Sequence, residues 1–568
     1  MVIIKIHYLH LMKNMFKIIS TLFFILLLPT ILFSQADTYS EIYLMDFKRM
    51  NNLFRNDSSF AKSYFLRSSS IFFNNQGDFE NNTLPKKYFR INNIGLDTRF
   101  NSQIGLSSND GSFIPSVGLQ QRLHFNLSFK IGKIHCYFAP DFSKIQNKEP
   151  TEFVLNPQEP NYMARYYLYI VNKIDSYSQF GKDPFTTRSL GQTSIKYQTN
   201  NIAFGLSNEN IWWGPGIRNS LVMSNNSKGF AHITLNTIKP LKTKFGLFEG
   251  QILFGNLSNS KFEHPDNQRM RRIWSGGIAP KDTSSRFING FLLSFAPKLL
   301  PNFYIGLSTS SSGYKRSGER KVVSFPFFSS SKPIKLGSLF LRYAMPKEKS
   351  ELYFEFGRAD KTATPFNLIK DSIPLGYTAG FRKFIPYSKF NSHFYFAFEL
   401  TRLELPDPRL IFSVGNVFGP PLTNSWYTSS QILQGYTNNA EVLGAWIGPG
   451  SNSQTLQFGW LRGLNKIQFT LERVQHNNDF YYYNYLTGDL RVNYQNPNKH
   501  WADIHATTQI QLNFRKLLFI TSISNSSIYN YRWLKLDGGF SGQSKISDRR
   551  NTQFNTSLVY FFNKKGIL

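Results

Sequence analysis

The chain has almost no cysteine, few acids and, past its first forty positions, no long apolar run. Cys136 is the only cysteine in 568 residues, so no internal disulfide can form and crosslinks hold nothing together. Membrane-spanning helices would need several runs of about 20 apolar residues, and their absence after position 40 excludes a helical bundle in lipid. Metal-binding and nucleotide-binding signatures are missing as well. There is no H-E-x-x-H, no cysteine pair, no D-x-D-x-D-G calcium loop, no G-x-S-x-G and no phosphate-cradling glycine loop. No cofactor or metal is therefore expected, and nothing points to an enzyme.

What is present is charge of one sign, many aromatics and one apolar block. Lysine and arginine number 65 against 35 acids, a formal net charge of +30. Lys13 and Lys17 precede the apolar run Ile18 to Phe33, and Ser34, Gln35 and Ala36 follow it. That order is the order of a secretory signal peptide, which assigns residues 1–36 to export. A start at Met12 or Met15 fits the same pattern. Losing Lys5, Lys13 and Lys17 takes the charge to +27. Export sets nucleic acid aside as the counter-charge, leaving acidic polysaccharide or the phosphates of lipopolysaccharide.

Alternation of period two dominates the rest. In Val117 to Phe129 the odd positions are apolar apart from Gln121, while the even ones are Gly118, Gln120, Arg122, His124, Asn126 and Ser128. The same pattern sets Ile467, Phe469 and Leu471 against Gln468, Thr470 and Glu472, and Ile510, Leu512 and Phe514 against Gln509, Gln511 and Asn513. It recurs at Leu352, Phe354 and Phe356, at Phe394, Phe396 and Phe398, and at Phe554, Thr556, Leu558, Tyr560 and Phe562 near the chain end. These are strands. A soluble sandwich alternates too, but an exported chain with strands near the about 9–11 residues a tilted strand needs to cross hydrocarbon points to lipid. A sheet in lipid has to close, because an open edge leaves backbone N–H and C=O groups unpaired. The expected fold class is all-β: a transmembrane antiparallel β-barrel of the outer membrane with a polar lumen, spanning residues 63–568. Its partners are then outer-membrane lipid, lipopolysaccharide and the barrel-insertion machinery, which reads an aromatic last strand. Residues 37–62 form a periplasmic segment whose apolar spacing fits a short helix, or equally a disordered leader. Ser308 to Ser331 and Leu405 to Ser430, rich in serine, asparagine and breakers, read as long outer loops.

Two aromatic turns stand out. Trp212 and Trp213 run into Gly214, Pro215 and Gly216, and the pattern W-x-G-P-G returns at Trp446 with Gly448, Pro449 and Gly450. A Pro-Gly pair suits a type II turn, with positive φ at the second glycine. Trp212, Trp213 and Trp446 offer flat faces for sugar rings, or else pack within the lumen or at the lipid interface. Arg218, Asn219, Asn225 and Asn226 offer cationic and amide donors to carboxylates and hydroxyls, with an ordinary solvated loop as the alternative. Glu209 reads as an ion-pair partner of Arg218 or another lumen arginine. His476, Asn477 and Asp479 gather where a strand passes into a loop, as a polar binding cluster or as turn chemistry.

The segments G-Q-T-S-I from Gly191, N-I-W-W-G-P-G-I-R-N-S-L-V-M-S-N-N from Asn210, T-L-N-T-I-K-P from Thr234 and F-E-G-Q-I from Phe248 resemble the Wzi family of capsule-assembly outer-membrane proteins. Further matches are E-L-Y-F-E-F-G-R-A-D from Glu351, W-Y-T from Trp426, Q-G-Y-T-N from Gln434, L-G-A-W-I-G-P-G from Leu443 and L-E-R-V-Q-H-N-N-D-F from Leu471. The branch it looks most like is that of the Bacteroidetes. The sequence departs from that pattern at Ala359-Asp360-Lys361 and at Lys228. The resemblance implies an eighteen-stranded barrel that binds capsular or extracellular polysaccharide and helps keep it at the cell surface, a lectin rather than an enzyme. A diffusion porin for small or anionic solutes is the competing expectation, since a barrel this size can enclose water.

Overall fold

The computed structural model describes residues 45–47, 49, 50, 53, 54, 87–149, 160–315, 334–359, 374–387, 392–406, 423–486, 500–533 and 548–562. The export segment 1–36, most of 37–86, Asp360-Lys361 and the tail 563–568 lie outside them.

One antiparallel sheet of twenty-one strands closes on itself. Its first strand, Lys87–Asn101, pairs on one side with Gly118–Ile131 and on the other with the last strand, Arg549–Phe561, where Leu96 faces Leu558. Three of the pieces are subdivisions, so the cylinder has eighteen staves. Ile134–Phe138 and Asp141–Ile145 make one stave, interrupted at Pro140, which has no N–H to give a ladder. Phe185–Ser189 and Ser194–Gln198 make the next. Gly191 sits at that second break with φ +52, and a Cβ there would meet the carbonyl oxygen of Ala139. The short piece Leu241–Lys242 continues the stave of His232–Thr237.

Side chains alternate as the sequence demands. On Gly118–Ile131 the polar set Gln120, Arg122, His124 and Asn126 is buried toward the lumen, while Leu119 and its apolar partners face out. Ile467, Phe469 and Leu471 are exposed on the outside, as are Leu352, Phe354, Phe394, Phe398, Leu512, Phe514, Phe554 and Phe562. A greasy exterior over a wet interior is the inverse of a soluble domain and defines a transmembrane barrel. Val117 departs from its expected place: it is buried and lies before the strand, in an isolated bridge to Lys148.

The two ends differ. At one, staves join through hairpins as tight as Gly132-Lys133, Gly463-Leu464 and Arg515-Lys516, each starting on a residue of positive φ. At the other lie the long connections, and among the described residues two stretches of them turn inward. Residues 208–231 and 423–451 fill the lumen, burying Leu221, Trp426, Tyr427 and Tyr436 together with wall residues Leu253, Leu292 and Phe340. The expectation of outer loops is corrected in two places. Phe303–Tyr314 is a wall strand, so Ser308, Ser310 and Ser312 line the lumen, where small side chains leave room for the infolded loop; Tyr436 OH donates to Ser310 Oγ at 2.8 Å. Ser425 to Thr428 are buried inside rather than displayed outside.

From the hairpin end the lumen is filled by the N-terminal segment. Met45, Asp46, Phe47, Arg49, Met50, Leu53 and Phe54 are helical. Met50 and Leu53 join the same apolar cluster as Trp213, and Phe54 stacks on His393. Polar anchors fix this plug. Glu351 is completely buried and takes ion pairs from Arg49 at 3.0 Å, Arg342 at 2.6 Å and Arg382 at 2.7 Å, while Arg382 also reaches Asp46 at 2.6 Å.

Candidate functional site in the loop-end cleft

The Gly-Pro-Gly segment is part of the frame. Trp213 is fully enclosed, its indole N–H donating to Gln251 Oε1 at 2.9 Å, and Trp212 is buried beside it. Neither offers a face to a sugar. Positive φ falls on Gly214 (+105), where the sequence pattern predicts Gly216, so this is not the expected turn; Arg49 Nη1 donates to Pro215 O at 2.7 Å. The second motif differs, with positive φ at Gly448 (+77) and Gly450 (+61), the latter as a type II turn requires. The two motifs therefore do not form the same turn.

Beyond Pro215 the backbone becomes an anion cradle for the barrel's own carboxylate. The N–H groups of Ile217, Arg218 and Asn219 donate to Glu399 at 2.6, 3.1 and 2.8 Å, and Tyr353 OH adds a fourth bond at 2.7 Å. The Arg218 side chain is spent on Glu472, with its guanidinium 5.9 Å from the Trp446 ring. Glu209 does not pair with it; Glu209 takes Lys196 at 2.5 Å. Asn219 donates to Ser453 Oγ at 3.2 Å, and the Asn225 carbonyl accepts from Gly111 N–H at 2.8 Å.

Asp479 and Asn477 hold the start of the short helix Asn478–Leu486. Asn477 Oδ1 caps it by accepting from Phe480 N–H at 3.0 Å. Asp479 accepts from Leu405 N–H at 2.9 Å and from Ser425 OH at 2.6 Å, tying two infolded segments together. Burial pushes its carboxyl up from 3.8 to about 7, against the lowering effect of those two hydrogen bonds.

Near the long-connection end is a cleft of about 220 Å³. Of the residues singled out in the sequence, Asn226, Trp446, Gly448, Pro449, His476 and Asn477 line it; Trp212, Trp213, Arg218, Asn219, Asn225 and Asp479 do not. Its aromatic walls come chiefly from residues the strand and turn patterns did not mark: Trp501, Tyr531, Trp533, Tyr166 and Tyr177. Trp501 stacks on His476 with centroids 4.1 Å apart and packs edge-on to Tyr531 and Trp533 at 5.0 Å each. Asp503 locks this arrangement, accepting from Trp501 Nε1 at 2.8 Å and bonding His476 Nε2 at 2.9 Å. Asn530, Arg532 and Trp533 all take left-handed φ (49, 59 and 54), a backbone cost borne to turn this corner of aromatics. The readable signal was the Tyr-Arg-Trp run just past a strand.

Among the described lining residues four carry charge or can take it up, Glu441, His476, Asp503 and Arg532. Arg532 is held by Asp266 at 2.9 Å and Ser178 at 3.2 Å, and His476 by Asp503. Glu441 makes no side-chain hydrogen bond among the described residues; burial first, and then the charge of Asp110, push its carboxyl well above the usual carboxylate range. No group of three or more potential metal ligands occurs among the described residues.

A closed eighteen-stave cylinder with a greasy exterior, a filled lumen and an aromatic cleft among its long connections defines a transmembrane β-barrel. Residues 118–512 match the sequence profile of the capsule assembly protein Wzi family, and the chain belongs to that family. No curated protein sequence matches the chain. Among solved structures it is similar to Wzi of Escherichia coli, described as an outer-membrane protein involved in group 1 capsule assembly and a carbohydrate-binding β-barrel. Identity is 10%, with 94% of this chain and all of that one covered and a TM-score of 0.57. Acinetobacter baumannii OccAB1 aligns at 10% identity over 83% of this chain and 97% of its own, with a TM-score of 0.38. Pseudomonas aeruginosa OccK2 in complex with glucuronate aligns at 9% over 83% and 98%, with a TM-score of 0.37.

Proposed function

We propose that this Wzi-family barrel sits in the outer membrane, binds capsular or extracellular polysaccharide at the cleft among its long connections, and retains the polymer on the cell surface. The observation that carries this reading is the cleft itself. Trp446, Trp501, Tyr531 and Trp533 converge on it with polar groups between them, the combination of apolar face and hydrogen-bonding edge that a pyranose ring demands. Retention needs only weak contacts, because a long polymer engages many barrels at once. The mature charge of +27 supports an acidic polymer and contact with lipopolysaccharide phosphate, and the aromatic last strand supports delivery by the insertion machinery.

Binding without catalysis is the reading we adopt. Two carboxyl groups near the cleft are engaged structurally, Asp503 on His476 and Trp501 and Asp479 on Leu405 and Ser425, and the one close serine–histidine contact of that region among the described residues, Ser526 Oγ to His505 Nδ1 at 2.7 Å, is buried and does not line the cleft. The porin alternative has no observation in its favour, since infolded connections fill the lumen from one end and the N-terminal helical segment from the other. Deleting the gene is expected to leave polymer synthesis intact while shifting glycan from cells to medium. Unchanged cell-bound glycan would refute retention. For the purified barrel, Trp501→Ala should weaken binding of the host's own surface glycan while the cylinder stays folded.

A further inference from the structure

The same cleft carries a statement about which sugar it takes, which rests on the binding function just proposed. At about 220 Å³ it falls below the about 300–1,000 Å³ of pockets that hold drug-sized ligands, so it suits a single ring of a chain rather than a long segment. Its faces are aromatic and aliphatic, with Ile104, Ile447 and Ile528 among the lining residues.

The charges of the wall decide the chemistry. Among the described lining residues Arg532 is the one arginine or lysine, and Asp266 already balances it at 2.9 Å. His476 is bound to Asp503 at 2.9 Å, so in either protonation state this pair has no positive charge to spare. Glu441, 5% exposed, adds a carboxyl group with no counter-cation bonded to it among the described residues; the charges of Lys228 and Arg99 act on it from farther off and are outweighed by burial and Asp110. A ligand carboxylate would thus lose its water and gain no cation, which is costly in a partly buried site. Two polar groups do await partners. The Glu441 carboxyl, whose neutral form burial favours, makes no side-chain hydrogen bond among the described residues, and the Trp446 Nε1–H is buried without one among them. Both suit hydroxyl or acetamido groups.

We infer that the cleft binds one uncharged sugar unit of the glycan, a neutral hexose, deoxyhexose or N-acetylated sugar, and rejects a uronate at that position. The acidic units of the polymer are then met by the basic surface outside the cleft.

The test uses the purified full-length barrel in detergent with three matched oligosaccharides: a neutral one, the same chain with its terminal unit oxidised to a uronate, and the same chain with a free amine in place of acetamide. Titration calorimetry should give the neutral compound the highest affinity and the uronate at least about tenfold weaker binding, equal to ~1.4 kcal/mol. Glu441→Lys should bring uronate binding level with neutral or above it. Equal or stronger binding of the uronate by the unaltered barrel overturns the inference, as does a preference for the free amine. If native polysaccharide binds while none of the three defined compounds does, the inference fails and the binding function stands. If native polysaccharide does not bind either, the function itself fails.

Discussion

Arg218 grips Glu472 in a two-point contact across 254 residues of chain, Nε to Oε1 at 3.2 Å and Nη2 to Oε2 at 2.6 Å. The carboxylate comes from the wall and the guanidinium from the infolded segment, so this pair fastens the filling to the cylinder. Glu472 is almost completely buried and also accepts from Thr455 OH at 2.9 Å. Arg218→Ala leaves that charge uncompensated, a change that typically costs about 3–5 kcal/mol. Heat-modifiability on gels should register a clear drop in melting temperature. Arg218→Lys should recover only part of it, because an ammonium cannot make the paired contact.

Trp213→Ala tests the same frame from the apolar side. The indole is wholly enclosed and packs on the wall, so truncation opens a large void and should destabilise by about 3–5 kcal/mol. Trp501→Ala should cost less stability and more glycan affinity. Comparing melting and glycan titration for the two variants separates frame from cleft.

The helical plug makes an electrical prediction. Reconstituted in planar bilayers, the intact barrel should be silent. Removing residues 37–62 withdraws Asp46, Arg49, Met50 and Leu53 from the lumen and strips Glu351 of one of its three arginines. Step-like conductance in the truncated barrel is the expected outcome. A steadily open intact barrel would contradict the filled lumen.

Asp479 makes the anchoring of the infolded segments depend on pH. With its carboxyl raised from 3.8 to about 7, the folded state holds a proton that the unfolded chain releases across that interval. Stability from this group is complete below about pH 4, declines as pH rises to about 7, and is flat above. Once the intrinsic base-catalysed rise is divided out, the protection of the Leu405 amide against hydrogen exchange should fall over that window. In Asp479→Asn the dependence should vanish.

Sequence periodicity revealed the wall well and the filling poorly. Alternation sorted Leu352, Phe394, Ile467 and Phe554 to the outside because one face of each strand meets lipid and the other polar lumen, a contrast every second residue reports. Serine at 308–312 misled for the opposite reason: a wall that faces an infolded loop needs small residues, and small polar residues also make loops. The W-x-G-P-G repeat located one motif in the frame and one at the cleft, since identical residues took different φ values under different tertiary contacts. Trp501 and Tyr531-Arg532-Trp533 went unread because their aromatic convergence joins segments distant in the chain and leaves no spacing to detect.

The pairing of Lys87–Asn101 with Arg549–Phe561 is the seam of the ring. Both strands of the seam flank every inward-turning connection among the described residues, so the aromatic filling is enclosed only when that one pairing forms. A chain cut short of Arg549 would keep all the cleft residues named above and yet leave both seam edges bare, so a thirteen-residue strand that does not line the cleft is still required to close the wall around it.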